Sequence, residues 1–193
     1  MSIPDIQAAI SSLVDAFERL GVDYYIGGSV ASSMYGLARA TLDVDIVADL
    51  QPKHARPVVH ALEQGYYVVE DTVRNAIEGR GSFNAIHLET MMKVDVFVAK
   101  AGEYDREALS RRRSDTLTEQ GAREFYLASP EDVVISKLLW FREGGRVSQR
   151  HWADALGVLQ VQGPNLDNEY LRRWAQRLGL LDLLEKAMGE SLP

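Results

Sequence analysis

Two short segments of strict side-chain alternation constrain this chain most: Asp43-Val44-Asp45-Ile46-Val47 and Lys93-Val94-Asp95-Val96-Phe97-Val98. In a β-strand successive side chains point to opposite faces. Asp43, Asp45 and Val47 therefore share one face of the first segment, and Leu42, Val44 and Ile46 share the other, which reads as core. In the second segment Val94, Val96 and Val98 take one side and Lys93, Asp95 and Phe97 the other. Two carboxylates a pleat apart repel each other unless a cation, a basic group or water offsets their charge. Their oxygens suit one hard divalent cation, or two held about 3.5–4 Å apart. The alternative is an edge strand whose aspartates face water and discourage further pairing. If the two strands adjoin, Asp95 completes a set of three carboxylates.

Upstream of the first segment stands Gly27-Gly28-Ser29. A glycine pair lets the backbone turn tightly and approach an anion, Ser29 can cap the following helix, and a helix N-terminus offers free N–H groups to phosphate. An ordinary strand-to-helix turn with a serine cap would look the same. No G-K-[ST] follows, so this is not a Walker loop, and the later glycines of a dinucleotide fingerprint are missing. Arg39 can reach phosphate or a helix end, and Thr41 can support Asp43 or the turn.

The rest of the chain falls into two regimes. Helix-like and strand-like segments alternate up to about residue 128. Ile6, Ile10, Leu13, Phe17 and Leu20 recur at helical spacing until Gly21. Strands are expected at Tyr24–Gly27, Leu42–Ala48 and Tyr66–Glu70, with hairpins from Phe83–Leu88 and Met92–Ala99 and from Ser114–Thr118 and Glu124–Leu127. Helices are expected at Val30–Tyr35, Pro52–Glu63 and Thr72–Glu78. From Pro130 onward the pattern is helical: Glu131–Phe141, Gln149–Gln160, Glu169–Arg177 and Leu180–Met188, broken at Gly144-Gly145 and Gly163-Pro164. Strands first and helices afterwards predict an α+β fold, with a mixed-sheet domain over residues 1–128 and a helical C-terminal cap over residues 129–193.

Composition narrows the setting. The 193 residues are 46% hydrophobic, enough for a substantial core. With no cysteine, disulfides and thiolate chemistry are excluded. No stretch of eighteen apolar residues and no basic-then-apolar leader occurs, so a cytoplasmic, membrane-free protein is expected. A net charge of −7 argues against broad coating of nucleic acid. A local basic patch, drawn from Arg111, Arg112, Arg113, Arg142 and Arg146, would escape that argument.

The string from Gly27 to Val47, G-G-S-V-A-S-S-M-Y-G-L-A-R-A-T-L-D-V-D-I-V, together with the distant Asp95, resembles the nucleotidyltransferase superfamily related to DNA polymerase beta. Within it the resemblance is to small bacterial proteins of the abortive-infection type, whose relatives include toxin nucleotidyltransferases. It covers roughly residues 20 to 155. The resemblance implies a polymerase-beta-like core and a Mg²⁺- or Mn²⁺-dependent transfer of a nucleoside monophosphate from an NTP, ATP among them, to an acceptor hydroxyl. Asp43 and Asp45 would bind both metals and Asp95 would be the third carboxylate. Gly27, Gly28 and Ser29 would hold the phosphate tail, with Arg39 and Thr41 in support. Ser129-Pro130-Glu131-Asp132 and the residues after it resemble the segment that supplies a phosphate-binding lysine, here Lys137. Arg150-His151-Trp152-Ala153-Asp154 resembles the family's basic residue followed by an aspartate. Arg150 and Asp154 can also form an i,i+4 surface pair worth about 0.3–0.5 kcal/mol. A transfer RNA 3′ end, a protein hydroxyl or a small alcohol would be the acceptor. A catalytically quiet nucleotide- or partner-binding member, such as a toxin–antitoxin component with an antitoxin-like protein partner, is the alternative.

Overall fold

The computed structural model describes residues 3–117 and 123–191. In chain order its elements are α1 (Ile3–Arg19), β1 (Tyr24–Ile26), α2 (Gly28–Tyr35), β2 (Asp43–Ala48), α3 (Ala55–Leu62), β3 (Tyr66–Tyr67), α4 (Glu70–Gly79), β4 (Ser82–His87) and β5 (Lys93–Val98). There follow α5 (Glu103–Ser110), β6 (Arg113–Thr116), β7 (Glu124–Leu127), α6 (Pro130–Glu143), α7 (Gln149–Gln162), α8 (Asn168–Arg177) and α9 (Leu181–Ser191). They divide into two compact units. One is Met1–Gly27 with Ala40–Leu127, and the other is Gly28–Arg39 with Ala128–Pro193. Segment 28–39, which the linear reading assigned with residues 1–128, thus groups with the C-terminal helices.

The first unit is built on a mixed sheet ordered β3-β4-β5-β2-β1-β7-β6. Strands β2 and β5 run parallel at its centre, while β1 and β4 pair antiparallel on either side of them. The alternation explains this placement. Val44, Ile46, Ala48, Val94, Val96 and Val98 are all buried on one face, and α1 and α4 pack against it. Helix α1 forms because Ile10, Leu13 and Phe17 recur on one side, each fully buried. Gly21 then takes a left-handed φ of 65° that glycine adopts at little cost.

Several boundaries differ from the sequence reading. Leu42, expected in the core, is 72% exposed, because β2 pairing begins only at Asp43 and the buried Thr41 turns the chain inward just before it. The expected strand at 66–70 pairs only at Tyr66 and Tyr67, since Glu70 already opens α4 with acidic residues in its first turn. The helix expected at 52–63 begins as a 3-10 turn, Pro52–His54, and Pro57 is accommodated in the first turn of α3. Helix α5 had no sequence signal, because only Ala108 and Leu109 on it are buried. The hairpin β6–β7 pairs Arg113–Thr116 with Glu124–Leu127, and Thr118 of the expected strand lies outside the described residues.

The second unit is a helical assembly in which α7 packs on α6, α9 and α2. Ser129 caps α6, accepting the Asp132 N–H at 3.1 Å, and Pro130 sits at the first helical position, where its missing N–H costs nothing. The same Asp132 accepts the Tyr170 hydroxyl at 2.7 Å, tying α8 to the start of α6. Phe141, Trp152 and Trp174 are buried, and Trp152 donates its indole N–H to Glu190 at 2.9 Å. Among the described residues no helix is long and apolar enough to cross a membrane.

Candidate functional site

The partly exposed face of the first unit's sheet gathers the acidic residues. Parallel pairing sets Asp43 opposite Lys93 and Asp45 opposite Asp95, so all four project on the same side of adjoining strands. The hydroxyl of Thr41, buried just before β2, donates to the Asp43 carboxylate at 2.9 Å and so fixes its direction. Lys93 Nζ lies 2.7 Å from Asp95 Oδ2. That hydrogen bond, followed by the charges of Asp95, Asp43 and Asp45, outweighs burial and raises the lysine pKa above its ordinary value. Three hard carboxylate donors on one face fit Mg²⁺ or Mn²⁺ in kind. Among the described residues, however, no group of three or more His, Cys, Asp or Glu side chains stands arranged to hold a metal ion. Within this acidic set the Asp95 carboxylate is turned to the Lys93 ammonium. Asn84 faces Asp95 from β4, and beside it Tyr67, Thr72 and Ser82 help line an open cleft of about 250 Å³.

Gly27 ends the first unit, its N–H donating to Asp45 O at 2.8 Å and so continuing the β1–β2 ladder. Gly28 follows at a left-handed φ of 54°, which accounts for glycine at this position. The helix starts at Gly28, so Ser29 lies inside the first turn and not at the capping position expected of it. Its Oγ accepts a hydrogen bond from Arg39 Nη2.

Arg39 leads to the buried hub of the second unit. Its Nε and Nη2 donate to the two oxygens of Asp154 at 2.8 and 2.9 Å, a bidentate pairing. Lys137 Nζ is 2.8 Å from Asp154 Oδ2, and both side chains are buried, at 5% and 6% exposure. Burial alone would push the Asp154 pKa up, but the hydrogen bonds from Arg39 and Lys137 and their charges hold it below the ordinary carboxylate value. The i,i+4 spacing also allows a surface pair between Asp154 and Arg150. Both oxygens instead serve Arg39 and Lys137, while Arg150 is exposed at the first turn of α7. The chain thus brings Ser29, Arg39, Lys137 and Asp154 together. With two cations, one carboxylate and the first turn of α2, the cluster carries a net positive charge suited to an anion. His151 stacks edge-on against Trp140, with centroids 5.7 Å apart, and burial lowers its pKa, with Lys137 adding to the effect.

Three of the five arginines expected to form a basic patch have structural duties. Arg112 pairs with Asp23 at 2.7 Å and lies over the Tyr126 ring. Arg142 donates to Leu178 O at the end of α8, and Arg146 pairs with Asp182 at 3.0 Å.

No family model and no curated protein matches the chain. Solved structures do. The solution structure of the antibiotic-resistance factor ANT(2'')-Ia is similar with a TM-score of 0.58 and 16% identity, over 92% of this chain and 95% of that one. The crystal structure of ANT(2'')-Ia in complex with adenylyl-2''-tobramycin gives 0.58 and 17%, over 87% and 95%. An antigenic nucleotidyltransferase-like protein from Paracoccidioides brasiliensis gives 0.54 and 17%, over 93% and 90%. The chain therefore has the polymerase-beta-like α+β fold of nucleotidyltransferases, a mixed sheet followed by a helical region. At these identities the likeness speaks for the fold, and function rests on the site.

Proposed function

We propose that the chain is a divalent-metal-dependent nucleotidyltransferase that moves a nucleoside monophosphate from an NTP to an acceptor hydroxyl and releases pyrophosphate. The observation that carries this reading is the β2–β5 register, which sets Asp45 opposite Asp95 with Asp43 one pleat away on the same face. Asp43, Asp45 and Asp95 are the residues that would hold Mg²⁺ or Mn²⁺, and a bound ion there supplies Lewis-acid charge to the acceptor oxygen and the triphosphate. Asp95 orients the acceptor hydroxyl and takes its proton. The acceptor oxygen forms a bond to the α-phosphorus as the bridging bond to the β-phosphate breaks. Thr41 keeps Asp43 aimed, through the 2.9 Å hydrogen bond. Within the second unit, Gly28, Ser29, Arg39 and Lys137 are the residues this reading gives to a phosphate tail, with Asp154 holding both cations in place.

The resemblance of Gly27–Val47 to abortive-infection-type proteins supports membership of that branch. The cleft residues beside Asp95, Tyr67, Thr72, Ser82 and Asn84, are uncharged, which favours a small neutral alcohol over the phosphodiester of a transfer RNA end. The tie between Lys93 and Asp95 favours a second reading, a catalytically quiet member that binds nucleotide or an antitoxin-like partner.

Incubation with α-labelled NTPs, Mg²⁺ or Mn²⁺, and pools of transfer RNA, protein and small alcohols decides between them. Label should move to one pool, and D43N and D45N should each lower the rate by at least about a hundredfold, the scale of lost electrostatic stabilisation. Transfer to no pool, or undiminished transfer by both variants, would sink the enzymatic reading.

A further inference from the structure

The β2–β5 register does more than line up carboxylates. It puts four charged positions at the corners of a quadrilateral, about 4.8 Å across the strands and about 6.6 Å along them. Asp43 and Lys93 form one edge, Asp45 and Asp95 the opposite one. Three corners are acidic, and the fourth is a lysine whose ammonium reaches along its own strand to Asp95 at 2.7 Å. The acidic corners need a compensating cation on the same face, and the chain itself provides one.

We infer that Lys93 is a built-in counter-ion that occupies Asp95 in the metal-free protein and must release it before that carboxylate can ligate a divalent cation. The inference rests on the metal-site reading above. It makes Lys93 a positioning residue acting through Asp95. The lysine side chain is 43% exposed and the Asp95 side chain 15%, so the ammonium has room to swing into solvent once a stronger cation arrives. A partly exposed ion pair of this kind adds modestly to folding. Its effect on a cation competing for the same oxygen is direct, because lysine and metal exclude each other there and also repel.

Mn²⁺ titration of the full chain without nucleotide, followed by the electron paramagnetic resonance signal of free Mn²⁺, tests this on the wild type, K93Q and K93R. Removing the competing charge should tighten Mn²⁺ binding by K93Q at least about tenfold, the scale of one unit charge a few ångströms from a divalent ion under water-like screening. K93R, which keeps the charge, should stay near wild type. Urea unfolding in metal-free buffer should leave K93Q close to wild type, which separates competition from a structural role. If the wild type binds Mn²⁺ and K93Q binds no more tightly, the counter-ion role is overturned while the metal site stands. If neither binds Mn²⁺, the metal-site reading falls and this inference with it.

Discussion

Asp154 sits between two cations with 9% of its surface exposed, and this arrangement sets its energetics. Removing one partner of a buried pair leaves the other charge without compensation, at a cost of about 3–5 kcal/mol. Asp154→Ala would strand Lys137, itself 4% exposed, so urea unfolding should show a loss of that size. Lys137→Met should cost less, because Arg39 still holds both oxygens of Asp154. The pH dependence follows from the same contacts. The folded pKa of Asp154 lies below its ordinary value of about 3.9, so its contribution to stability is complete above that pH. It is lost as pH falls through the folded value. Stability of Asp154→Ala measured from pH 6 to pH 3 should therefore fall less steeply than that of the wild type. The partners themselves could not be read from sequence. Arg39 and Asp154 are 115 residues apart, and the local i,i+4 spacing pointed to Arg150 instead.

At the scale of elements, α2 and α7 approach each other closely where glycines meet. A Cβ on Gly36, just past the end of α2, would stand 2.8 Å from Gly157 C and Val158 N, and a Cβ on Gly157 in α7 would stand 3.2 Å from Leu37 N. Backbone atoms cannot swing aside as a side-chain tip can. Gly36→Ala should therefore lower stability by about 1–3 kcal/mol, seen as a lower thermal midpoint, although alanine is otherwise a good residue in and near helices. Elements with strong periodicity, such as α1 and β5, were legible because burial and pattern coincide on them. Helix α5 and the two-residue β3 were not, since so few of their side chains enter the core that no period develops.

For the molecule as a whole, the discontinuous division of the chain has a direct consequence. Segment 28–39 lies in sequence between two strands of the sheet, yet its buried Val30, Ala31 and Tyr35 belong to a helix packed on α6 and α7. A fragment of residues 1–127 should leave that segment without cover. Limited proteolysis read by mass spectrometry should cut the fragment within 28–39 far faster than the full chain, and equal protection would contradict the division. The alternation in β2 and β5, the glycine pair and the helical run after Pro130 already specified an α+β chain with its acidic residues on one strand face, because periodicity and backbone freedom are local properties. Tertiary structure decided which strands adjoin, and so that Asp95 stands opposite Asp45 and Lys93 opposite Asp43. It also decided that Asp154 serves Arg39 and Lys137 and that α2 packs with the C-terminal helices. These are contacts between residues distant in the chain, chosen by burial and charge compensation, and no window of sequence contains both partners.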